Sequence, residues 1–292
     1  MRKGAASLRF AKVYLEITNV CNLSCDFCPG TRRSPRFLTT KEFALLAGKL
    51  RPYTDHLYLH LMGEPLVHPA LDQLLGEAAR LHFRVAIVTN GTLLPEKAQI
   101  LLASEALYKV SISLHSLEAN GGLSPGAYLE EAVAFARQAE QKGIVTVFRL
   151  WNLDGETPGQ NRLNDAFLER IEAAFPGPHP LLRKGLRMSE KIWVEEGKRF
   201  DWPDLSLPER DDVRFCLGLR DQIGVLCDGT VVPCCLDHEG DLALGNLFSG
   251  SLADMLDSPR ARSLYDGFSG GRAVHPLCRR CGFAGRFAKK FT

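Results

Sequence analysis

Nine cysteines in 292 residues fall into two groups, Cys21, Cys25 and Cys28 within CNLSCDFC, and six more between Cys216 and Cys281. Thiolates bind iron-sulfur clusters or zinc, and the spacing bears on which. CNLSCDFC follows the alternating, β-rich segment KVYLEIT. The three thiols therefore sit in a loop at a strand end, where α/β folds present their ligand sites. A [4Fe-4S] cube has one more iron than three thiolates can bind, which leaves that iron open to another ligand. Zinc would instead need a fourth donor, such as His60 or a C-terminal cysteine.

In the second group, Cys278-x2-Cys281 has metal-ligand spacing. With Cys216 and Cys234 it makes a four-thiolate set compatible with iron or zinc. QIGVLC-DG-TVVPCC reads as a hairpin with Asp228-Gly229 as a two-residue turn. That register sets Cys227 opposite Thr230, Val225 opposite Val232 and Ile223 opposite Cys234. Cys227 and Cys234 then stand roughly 13 Å apart at about 3.3 Å per residue, too far to share a cluster. Cys234 and Cys235 point to opposite faces, so one of the two serves. Cys227 and Cys235 are read as spare thiols.

The elements that position these loops follow from periodicity. After the first strand, Thr39 and Glu42 form a capping box for a helix through FALLAGKL, stopped at Arg51-Pro52. Strands HLYLHLM, FRVAIVT, KVSISLH and IVTVFRL alternate with helices over PALDQLLGEAARL, from Pro95, from Ser124-Pro125 to Lys142-Gly143, and over 161–175. This alternation predicts an α/β fold with a parallel sheet, open or partly barrelled, because a complete eight-unit barrel needs about 250 residues. Residues 176–215 read as a linker with a possible strand at KIWV. From 216 the pattern becomes a hairpin, one helix near 248–266 and a Cys/Gly/Arg-rich end.

Composition excludes other classes. Hydrophobic residues at 45% and charged residues at 24% belong to a globular chain, not a disordered or fibrous one. Thirty-six Lys and Arg against 34 Asp and Glu leave a net charge of +2, with no field that selects nucleic acid or an anionic membrane. Neither partner is expected. The absence of a signal peptide or a long apolar run, with thiols unsuited to paired disulfides, predicts a cytoplasmic protein. The arginines of TRRSPR (Arg32, Arg33, Arg36) could grip an anion but read as a solvated loop, and the basic tail 285–290 reads as exposed.

Cys21-x3-Cys25-x2-Cys28, with Phe27 before the last cysteine, resembles the cluster motif of the radical S-adenosylmethionine (SAM) superfamily. Met62-Gly63-Glu64-Pro65 is similar to the family's Gly-Gly-Glu-Pro motif, with methionine for the first glycine. Thr89 and Asn90, Ser113 and His115, and Arg149 fall at strand ends where the family contacts SAM. Cys216-x12-Gly229-x4-Cys234 followed by Cys278-x2-Cys281 is similar to the twitch form of the SPASM/twitch domain. The resemblance implies a partial (β/α)6-type TIM-like barrel followed by a small α+β iron-sulfur twitch module. The implied division is a core over 1–175, a linker over 176–215 with a possible last barrel strand, and a twitch domain over 216–292.

Its implied cofactors are SAM, a [4Fe-4S] cluster at Cys21, Cys25 and Cys28, and one auxiliary [4Fe-4S] cluster. The implied partners are a small-molecule or peptide substrate and a one-electron reductant such as flavodoxin or ferredoxin. The implied reaction is reductive cleavage of SAM to a 5′-deoxyadenosyl radical that takes hydrogen from substrate, the auxiliary cluster accepting an electron in a dehydrogenase-like oxidation. Arg149, His60 and His115 are candidate acid/base groups. Two other readings stand beside it: a peptide-modifying maturase, and a non-catalytic iron-sulfur or zinc protein. The first strand begins by about residue 12, so a preceding leader-peptide recognition domain is not expected.

Overall fold

The computed structural model describes residues 8–118, 124–153, 162–182, 185–211, 215–284 and 286–287. In chain order its elements are β1 (Lys12–Leu15), α1 (Thr40–Leu50), β2 (His56–Tyr58), α2 (Leu71–Arg80), β3 (Arg84–Thr89) and α3 (Leu94–Ala103). Next come β4 (Leu107–Ser113), α4 (Pro125–Gln141), β5 (Val145–Leu150), α5 (Asn164–Ala174), β6 (Leu181–Leu182), β7 (Gly185–Arg187) and β8 (Ile192–Glu196). The C-terminal part adds β9 (Gln222–Val225), β10 (Thr230–Val232), β11 (Gly245–Asn246), α6 (Leu252–Asp257), α7 (Pro259–Ser269) and α8 (Pro276–Arg279).

All strands join one sheet in the order β11-β10-β9-β1-β2-β3-β4-β5-β8-β7-β6. The run β1-β2-β3-β4-β5-β8 is parallel throughout, which gives the six-stranded partial barrel; among the described residues the sheet does not close on itself. Side-chain alternation explains its two faces. Val13, Leu15, Leu57, Ile87 and Ile112 point one way and pack with Phe43, Leu46, Leu50 and Leu74 of the helices in the main core. The other parity carries Lys12, Tyr14, Glu16, Tyr58, His60, Lys109 and Arg149, so the face away from the helices is polar.

Local chemistry sets the boundaries. The Thr39 hydroxyl accepts from Glu42 N at 3.2 Å while the Glu42 carboxylate accepts from Thr39 N at 2.9 Å, the expected capping box. Three expectations need correction. The expected strand at KIWV is present as β8, parallel on β5; the correction concerns the linker around it, which also carries β6 and β7. The hairpin pairs Val225 with Val231 and Gly224 with Val232, one residue away from the expected register. Leu226 N donates to Thr230 O at 2.9 Å, so Cys227, Asp228 and Gly229 (φ +85°) form a three-residue turn. The single helix near 248–266 is two, because Ser258 caps a new helix through Ala261 N and Pro259 takes its first position. β9 also pairs in parallel with β1, so the C-terminal hairpin extends the sheet directly.

Candidate functional site

The loop after β1 carries Cys21 and Cys28, both exposed, and Cys25, half-buried. Cys28 N donates to Cys25 O at 3.1 Å, folding the loop back on itself. Partial burial raises the Cys21 and Cys28 pKa values, and the nearby charge of Glu64 and Cys25 raises Cys21 further. Such thiols ligate only on losing their protons, which a bound cationic centre favours.

The sequence gives little hint of what anchors this loop. Glu16, wholly buried, binds the Arg33 guanidinium through two hydrogen bonds of 2.7 Å. The same carboxylate accepts from Met62 N and from Cys227 N, each at 3.0 Å. Arg33 Nε also donates to His238 O at 2.8 Å, and Arg36 Nε to Cys227 O at 2.7 Å. The expected solvated basic loop is therefore corrected: only Arg32 reaches out, and Arg33 and Arg36 bind the loop to the C-terminal hairpin. Cys227, expected to be spare, lies buried beside Arg33, and burial pushes its thiol up to about 12.

Met62-Gly63-Glu64-Pro65 packs against the same loop. Gly63 has φ +73°, and a Cβ there would come within 2.6 Å of Thr18 O and 2.8 Å of Val20 O, so only glycine fits. Glu64 N donates to Val20 O at 2.8 Å, while the buried Glu64 carboxylate accepts from Asn90 N at 2.7 Å and Leu66 N at 3.0 Å. Burial raises its pKa to about 7. Thr89 accepts from Gly91 N at 2.9 Å, and Asn90 donates to the Asn22 side chain at 2.9 Å, between the cysteines. These residues form a brace behind the cysteine loop.

The other expected SAM contacts converge on one partly open cavity. Phe27, Ser113, His115 and Arg149 line it together. The Phe27 and His115 rings lie 4.9 Å apart, and His115 Nδ1 is 3.1 Å from Arg149 O. Burial lowers the His115 pKa to about 4, which keeps its ring neutral. Trp151, Arg199, Phe200 and Trp202 complete the wall. None was singled out from sequence, where three of them lay in the presumed linker. Arg199 reaches across to within 3.5 Å of Asp26 and stands over the Phe27 ring.

Cys216, Cys234, Cys278 and Cys281, far apart in the chain, line one small recess with Leu236, Asp237 and Phe283. Burial raises all four thiol pKa values, Cys216 to about 11, and neighbouring thiols, Cys235 among them, add to the rise. Gly218 N donates to Cys216 Sγ at 3.3 Å. Among the described residues, no three His, Cys, Asp or Glu converge on a point where a single metal ion would sit. Four apposed thiols in an apolar pocket suit a centre that spreads its ligands around a cube. Cys235 turns the other way, toward Tyr14, with which it hydrogen-bonds, and Lys12. His60 packs against Tyr14 and Tyr58, at ring distances of 5.3 and 5.8 Å.

A family model described as the radical SAM superfamily matches residues 15–163. The chain belongs to the radical SAM superfamily. A second model, SPASM, described as an iron-sulfur cluster-binding domain, matches residues 216–282. The cofactors of this radical SAM protein are accordingly SAM and [4Fe-4S] clusters. Among solved structures, BtrN in complex with AdoMet and 2-DOIA is 16% identical with a TM-score of 0.58, covering 93% of this chain and 92% of that one. Native anSMEcpe with AdoMet and the Cp18Cys peptide is 13% identical with a TM-score of 0.62, covering 96% and 91%. At these identities the likeness shows the shared fold.

Among curated relatives, the probable GTP 3′,8-cyclase of Methanocella arvoryzae is 32% identical over 112 residues, 38% of this chain and 36% of that protein. The sporulation killing factor maturation protein SkfB of Bacillus subtilis is 22% identical over 268 residues, 82% of this chain and 63% of SkfB. The match thus spans about a third of the cyclase. Among the described residues of this radical SAM chain, no helix is long and apolar enough to cross a membrane.

Proposed function

We propose that this protein binds one [4Fe-4S] cluster through Cys21, Cys25 and Cys28 and an auxiliary one through Cys216, Cys234, Cys278 and Cys281, and that it oxidises its substrate by a radical route. With these groups bound, the chemistry supplied is one-electron cleavage of SAM to a 5′-deoxyadenosyl radical, hydrogen abstraction, and acceptance of the substrate's remaining electron by the auxiliary cluster as a proton leaves. The observation that carries the reading is the apposition of those four distant cysteines in one recess beside the sheet that presents the first three.

The residues of the chain have separate tasks in this proposal. Phe27, Ser113, His115 and Arg149 hold the adenosyl part in the cavity they line. Met62, Gly63 and Glu64 offer the backbone turn to the SAM amino group, with Thr89 and Asn90 fixing that turn. Trp151, Phe200 and Trp202 exclude water from the radical. A flavodoxin- or ferredoxin-type protein supplies the first electron. The division into a core over 1–175, a linker over 176–215 and a twitch domain over 216–292 belongs to the same proposal, as does a cytoplasmic location.

A second reading, modification of a peptide, is favoured by the match to SkfB, which extends over 82% of this chain. Both readings require SAM cleavage. The reconstituted protein, reduced anaerobically with SAM, is expected to form 5′-deoxyadenosine and methionine, and Cys28→Ala to form neither. Formation of neither product by the unaltered protein would leave a non-catalytic iron-sulfur protein.

A further inference from the structure

The two proposed cofactor sites share one wall. Residues 198–203 follow β8 without regular structure; Phe200 and Trp202 line the SAM cavity, and Pro203 lines the four-cysteine recess. Phe200 and Trp202 also belong to the same apolar cluster as Cys216, Cys234, Cys278 and Cys281. This strap is fastened on both sides. Toward the recess, Gly282 N donates to Asp201 O at 3.1 Å, and the Phe200 and Phe283 rings lie 5.0 Å apart. Toward the cysteine loop, the Arg199 guanidinium carbon stands 5.4 Å from the centroid of the Phe27 ring and Arg199 reaches Asp26. Contacts therefore run from Cys281-Gly282 through Asp201, Phe200 and Arg199 to Phe27-Cys28.

Gly282 marks the closest approach of strap and cysteine turn. A Cβ there would come within 2.7 Å of Asp201 N and 2.9 Å of Asp201 O. Backbone atoms cannot swing aside as the end of a flexible side chain can, so the strap itself would have to shift. The φ of Gly282 lies outside the left-handed region, so it is the strap, not the backbone conformation, that excludes a side chain.

We propose that Gly282 is a positioning residue for SAM: by seating the strap on the Cys278–Cys281 turn, it sets Phe200 and Trp202 where they close the cavity over the cofactor. The inference rests on the SAM site proposed above and adds that this cavity is completed from the auxiliary side. A side chain at 282 lifts the strap off the turn, and the two aromatic walls move with it. The cysteine ligands of both sites stay in place.

Calorimetric titration of the anaerobically reconstituted, unreduced full chain with SAM tests this, with iron content measured beside it. The unaltered protein and Gly282→Ala should both hold about eight irons, while Gly282→Ala binds SAM about tenfold more weakly, about 1.4 kcal/mol. Gly282→Val should weaken SAM binding further. Gly48→Ala, on an exposed part of α1 where the added carbon meets no packed atom within 4 Å, should bind SAM as the unaltered protein does. A loss of affinity below about threefold in both Gly282 variants, or a like loss in Gly48→Ala, would overturn the proposal. So would loss of iron in Gly282→Ala, because the glycine would then serve the auxiliary cluster rather than the strap. No SAM binding by the unaltered protein at full iron content would sink the SAM site itself, and the proposal with it.

Discussion

Glu16→Ala is expected to destabilise the protein by about 3–5 kcal/mol, the cost of breaking a buried ion pair by removing one partner. The carboxylate is wholly buried and accepts four hydrogen bonds, two from Arg33 and one each from Met62 N and Cys227 N. Its loss strands the Arg33 guanidinium and two backbone N–H groups in a space closed to water. The urea midpoint should fall with little change in slope, the mark of lost stability rather than altered compactness. Arg33→Met should also destabilise, and the double variant should cost much less than the sum of the two. A loss below about 1 kcal/mol, as for a surface pair, would refute this role. Because Glu16 joins the cysteine loop, the Met62 turn and the C-terminal hairpin, its variant should also lose iron from the first site faster.

The adjacent thiols Cys234 and Cys235 should behave in opposite ways. Cys234 lines the recess with Cys216, Cys278 and Cys281, whereas Cys235 hydrogen-bonds Tyr14 on the polar face of the sheet. Cys234→Ala should remove one cluster's worth of iron, about four atoms per chain, and Cys235→Ala should remove none. The reverse pattern would exchange their roles. The one-residue shift in hairpin register bears on this directly, since a slip of one moves every side chain to the other face. Gln222, not Ile223, shares the recess with Cys234.

Features set by local periodicity or by thiol spacing are legible in the chain itself. The helix-strand alternation through residue 174, the Thr39 capping box and the two cysteine groups all appear in the structure. What escapes depends on long-range pairing. In KVYLEIT, alternation reads as an ordinary half-buried strand, yet Tyr14 and Glu16 on its polar face are buried, and a carboxylate there requires a cation from elsewhere. That cation is Arg33, seventeen residues on in a loop that composition alone marks as solvated. Arg199, Phe200 and Trp202 were hidden by the Pro- and charge-rich segment around them, although two aromatics beside an arginine hint at a cavity wall. The three-residue turn at Cys227–Gly229 closes on the Leu226–Thr230 pair and shifts the register by one residue, a choice that Asp-Gly alone does not dictate.

Two clusters at two separate sites are the central claim, and metal content tests it most directly. Iron and zinc per chain should be measured after anaerobic reconstitution, for the native protein and for the Cys21/Cys25/Cys28→Ala variant. The account predicts about eight irons in the native protein and about four in the variant, with little zinc in either. Stoichiometric zinc with little iron, or a variant that keeps the native iron content, would contradict it.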